Sequence, residues 1–90
     1  MEVPVSKVLD AIPDDARVLI VGELQRRNPA LLAELRTADE PTNEQSDGVV
    51  LGVLTPALRE NFGPEYVPTE YGRAVERAID AYLEAWPIYR

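Results

Sequence analysis

The stretch from Thr69 to Trp86, stopped by Pro87, constrains this chain more than any other part of it. Tyr71, Val75, Ala78, Ile79, Tyr82, Leu83 and Trp86 recur at helical spacing on one face. Arg73, Glu76, Arg77, Asp80 and Glu84 mark the other face. Thr69 supplies an N-cap oxygen, Glu70 suits the positive end of the helix dipole, and Pro87 ends the run. The stripe places Trp86 in a largely buried position, one turn beyond Tyr82.

The rest of the chain reads as shorter helices. Residues 6–12 fit one turn, closed by Pro13, because the residue before proline avoids the helical region. Asp14-Asp15 opens a second segment, with Asp as N-cap, running from Ala16 to Arg27. Arg26 and Arg27 sit at its C-terminal end, where cations are favoured. Asn28 tolerates a left-handed cap, and Pro29 is preset for the first turn of a third helix from Ala30 to Thr37. The polar stretch 37–47 reads as a loop. From Val50 to Phe62 the apolar spacing is again helical. Thr55 reads as a cap and Pro56 as a helix start, giving two short helices at a kink. Gly63-Pro64 ends that run, and 65–68 reads as extended.

These features predict an all-α fold, a bundle of four or five helices in one domain spanning 1–90. A competing reading stays open. Residues 17–21, Arg-Val-Leu-Ile-Val, and 49–54, Val-Val-Leu-Gly-Val-Leu, also suit buried strands of a small α/β fold, and periodicity cannot separate the two. The caps favour helix. A two-stranded parallel unit would also leave both edges open.

Composition bears on function more than on fold. Among 90 residues there is no histidine, no cysteine and one lysine, Lys7. Most enzyme chemistry at neutral pH runs on those three side chains. The expectation is a protein that is not an enzyme and uses no cofactor or metal. The loop spacing Asn43-x-Gln45-x-Asp47-Gly48 echoes a calcium loop, but its twelfth position is Leu54, where a bidentate Glu is needed. The carboxylate pairs Asp14-Asp15, Asp39-Glu40 and Asp80-Glu84 have structural roles as cap, loop and outer helix face. The net charge is −7, and most of the excess lies beyond residue 36. Such a surface repels phosphate and anionic lipid, which argues against nucleic acid and membrane partners. No apolar run approaches the ~20 residues of a membrane span, and the N-terminus lacks the features of a signal peptide. The expected location is the cytoplasm.

The candidate contact residues are few. Arg26, Arg27 and Arg36 form the basic cluster, which the helical hairpin is expected to bring together. Tyr82, Trp86, Ile88 and Tyr89 offer an aromatic patch of the kind that anchors interfaces. Tyr82 and Trp86 also read as core, which is the preferred reading for Trp86, while Ile88 and Tyr89 lie beyond the proline.

Two resemblances bear on function. Residues 65–75, Glu-Tyr-Val-Pro-Thr-Glu-Tyr-Gly-Arg-Ala-Val, followed by 79–83, Ile-Asp-Ala-Tyr-Leu, resemble the end of winged-helix regulators of the MarR and HxlR type. Loosely, that likeness covers 16–86. It implies a helix-turn-helix-like shape and a DNA-binding transcription regulator. The segment where a recognition helix should sit, Asp47 to Asn61, offers one basic residue, Arg59. Residues 58–63, 67–68 and 79–82 are similar to the second half of acyl carrier proteins. That likeness implies a degenerate carrier-like domain, since Gly48 of Asp47-Gly48 stands where the carrier serine would be. The leading expectation is a non-enzymatic, acidic regulatory or adaptor module that binds a protein partner. A homo-oligomer through 69–86, burying Tyr82 and Trp86 against a second copy, fits the small core.

Overall fold

The long C-terminal helix packs chiefly against the second helix and the helical segment at 50–59, with the remaining short helices closing the other side. This computed structural model describes residues 7–64 and 67–88. The elements are α1 (Lys7–Asp10), α2 (Asp14–Arg27), α3 (Pro29–Thr37), α4 (Asn43–Val49), a π-helical segment (Val50–Leu54), α5 (Thr55–Arg59) and α6 (Glu70–Ala85). Helical backbone runs unbroken from α4 through the π segment into α5. The fold is all-α. Residues 17–21 lie within α2 and 49–54 within α4 and the π segment, so the α/β alternative is set aside. Among the described residues the sole β feature is an isolated antiparallel bridge between Phe62 and Pro68.

Local chemistry explains most helix ends, and three differ from expectation. Pro13, not an aspartate, occupies the N-cap of α2, without a side-chain cap. Asp14 and Asp15 instead lie in the first turn, where their charge still suits the dipole. Asn28 has φ −152° and ψ 71°, so it is not left-handed. It caps forward: its Oδ1 accepts from the Leu31 N–H at 3.1 Å. The stretch 37–47 is not all loop, because α4 begins at Asn43. There Thr42 and Gln45 form a reciprocal capping box, each side chain accepting from the other's backbone N–H at 3.0 Å.

Thr55 does not cap a new helix. Its backbone is helical, and its hydroxyl donates to the Val50 carbonyl at 2.7 Å. The wider π turn carries the chain into Pro56, whose ring nitrogen has no proton to give an ordinary i−4 bond.

The core gathers Val8, Leu9, Ile12, Ile20, Leu24, Leu31, Leu35, Val49, Val53, Leu54 and Ala57 around Val75, Ala78 and Tyr82 of α6. Trp86, Ile79 and Leu83 are half-buried against it. Among the described residues no helix is long and apolar enough to cross a membrane.

The start of α6 explains its Thr-x-x-Gly spacing. Thr69 Oγ1 accepts from the Gly72 N–H at 3.1 Å, as an N-cap should. The Thr69 N–H donates to the Asn61 carbonyl at 2.7 Å. That carbonyl lies where a side chain at position 72 would begin: a Cβ there would sit 2.7 Å from it. Gly22, in α2, has nothing within 4 Å of its Cβ site. Two glycines inside helices should therefore answer oppositely to alanine. Gly72→Ala should lower stability by roughly 1–3 kcal/mol through overpacking against fixed backbone. Gly22→Ala should raise it by about 0.5–1 kcal/mol through helix propensity. Urea denaturation of the two variants measures both, and a stabilising Gly72→Ala would contradict the packing described.

Candidate contact surface

Glu23 is the one charged residue among the described core positions, with 1% of its surface exposed. Its place on the inner face of α2 sets it one turn before Arg26 and Arg27. Arg26 Nη1 donates to Oε1 at 3.0 Å and Arg27 Nε to Oε2 at 3.1 Å. Tyr71 of α6 donates its hydroxyl to Oε1 at 2.9 Å. Arg27 reaches on to Glu60, beyond α5. The hydrogen bonds to Glu60 and then Glu23 hold the Arg27 guanidinium above its usual range. Burial, and next the bond to Glu23, push the Tyr71 phenol up. This cluster ties α2, α5 and α6 at one end of the molecule.

The basic cluster expected from sequence divides. Arg26 and Arg27 converge on Glu23, while Arg36 stands exposed at the other end of α3. Seven residues of helix separate it from Pro29, a rise of about 10 Å. The aromatic patch divides as well. Tyr82 is fully buried and shares a 2.8 Å hydrogen bond with Ser46 of α4, so it offers no contact surface. Burial pushes its phenol up, and the Ser46 bond partly offsets this. A self-contact through Tyr82 is thereby replaced by an internal one. Trp86 is half-buried, and its indole N–H donates to the Val8 carbonyl of α1 at 2.9 Å. Ile88 is half-buried, and Tyr89 lies outside the described residues.

Larger, more polar hollows lie between α3 and α4 and beside Pro68, and a shallow, more apolar groove runs between α6 and the segment from Ala11 to Leu19. Two adjoining hollows of about 380 and 300 Å³ share Pro13 and Ala81. Ala16, Leu19, Ala74 and Ala78 line the first, and Ala11 and Ala85 the second. Arg77 flanks one end and Glu84 the other. Elsewhere Val18, Leu51, Phe62 and Val67 are exposed apolar residues on separate elements.

The sequence offered Glu23, Ser46 and Tyr71 no site role. The Glu23/Arg26/Arg27 spacing was a readable ion-pair signal, but Tyr71, which bonds to Glu23, and Glu60, which shares Arg27, come from far along the chain. Asn43, Gln45 and Asp47 fall within α4, where alternate residues point to opposite sides rather than converging on an ion. Among the described residues no group of three or more carboxylates gathers as a metal site. Asp47-Gly48 also lies inside α4, and a Cβ at Gly48 would meet Leu31 at 3.0 Å. Comparison with family models, curated proteins and solved structures finds no match to this chain.

Two outcomes are expected of the polar clusters. Removing Arg27 leaves a buried carboxylate short of one partner, whereas removing Glu23 leaves arginines that can turn to water. Arg27→Met should cost roughly 2–3 kcal/mol, at or below the low end for a broken buried pair because Arg26 and Tyr71 remain. Glu23→Met should cost under about 1 kcal/mol. Urea titration of both variants tests the asymmetry.

The second outcome concerns pH. Tyr71 and Tyr82 have raised folded-state pKa values, so both are neutral groups that folding protects. Their contribution is full below the unfolded tyrosine value of about 10 and is lost as pH rises through the folded values. The urea midpoint should fall above pH ~10, and less steeply in Tyr82→Phe. An equal slope in Tyr82→Phe would show that Tyr82 is not the group protected.

Proposed function

We propose that this chain is a non-enzymatic, acidic regulatory or adaptor module that acts through protein–protein contact. The α2/α6 groove is the surface that carries the reading. Its floor is apolar and built from small side chains, so another element can approach closely. Arg77 and Glu84 at its ends make no ion pair within the described residues. By contrast, the buried Glu23 cluster spends its bonds inside the chain, which gives it a structural part. The acidic outer surface favours partners with basic or neutral faces and opposes nucleic acid.

The test is to fill the groove. Ala81 lines both hollows, is half-buried, and leaves room for a long side chain to reach water. Ala81→Arg should keep the far-UV circular dichroism of the parent and abolish recovery of a stoichiometric protein partner from the native cells. Equal recovery by parent and Ala81→Arg would exclude the groove as the contact. Recovery that depends on intact nucleic acid would exclude the reading itself.

A further inference from the structure

We draw no further inference here: the strongest candidate, the shallow apolar groove between α6 and the segment from Ala11 to Leu19, carries nothing beyond the contact reading already given, because nothing in the structure shows what covers it.

Discussion

The polar ends of three aromatic side chains hold α6 in register, and the rest of the fold is arranged around that helix. Tyr71 donates to Glu23, Tyr82 bonds Ser46, and Trp86 donates to the Val8 carbonyl. Eleven and fifteen residues separate the later two from the first, which keeps all three near one face. They reach α2, α4 and α1 in turn. Directional bonds matter here because the outer part of the α2/α6 contact is smooth. Alanines at 16, 74, 78 and 81 give it little shape, and a smooth apolar contact tolerates sliding by a turn. A buried hydrogen bond does not, since slippage would leave a donor or acceptor without a partner. The buried Glu23 carboxylate fits that role: it fixes which turn of α6 faces which turn of α2 while adding little net stability.

The run from Asn43 to Arg59 shows a second constraint, imposed by Pro56. A proline in a continuous α-helix removes one hydrogen bond and crowds the carbonyl four residues back. The π segment absorbs this by shifting the frame one residue. Val50 then serves Thr55 twice, accepting from both its N–H and its hydroxyl. Val49, Val50, Val53, Leu54 and Ala57 all reach the core across the shift, and Leu51 and Gly52 face water.

Signals confined to a few residues were legible in the sequence, and those needing a distant partner were not. The Thr69 cap, the stripe along α6 and the stop at Pro87 are local, and the helix stands where they place it. Asn28-Pro29 marks the right turn, but Asn28 caps forward through its side chain instead of adopting a left-handed backbone. The polar composition of 37–47 outweighed a capping-box spacing, Thr42 to Gln45, that was present all along. Little of α4 is apolar: Ser46 and Val49 are its buried residues, and Ser46 is buried because Tyr82 arrives from 36 positions away. The same holds for Glu23. Its arginines are visible at helical spacing, yet nothing nearby in sequence says that Tyr71 will bond to it and that Glu60 will share Arg27. Tyr82 was readable as apolar stripe, not as a residue whose hydroxyl has an internal partner.

The charges divide the molecule between what folding uses and what it leaves to the surroundings. The cations that form ion pairs within the described residues all lie between positions 7 and 27. The half of the chain with the larger acidic excess contributes no cation to them. Arg36, Arg59, Arg73 and Arg77 therefore face solvent as unshared charges, amid carboxylates that are equally unshared along α6. Exposed pairs contribute little to stability in any case, about 0–1 kcal/mol each. The outer face of α6 is thus under weak constraint from the fold, with an acidic residue, Glu70, in the first turn where the dipole favours it. Because the core does not rely on those residues, exchanging their signs should leave undisturbed the three aromatic bonds that set the register.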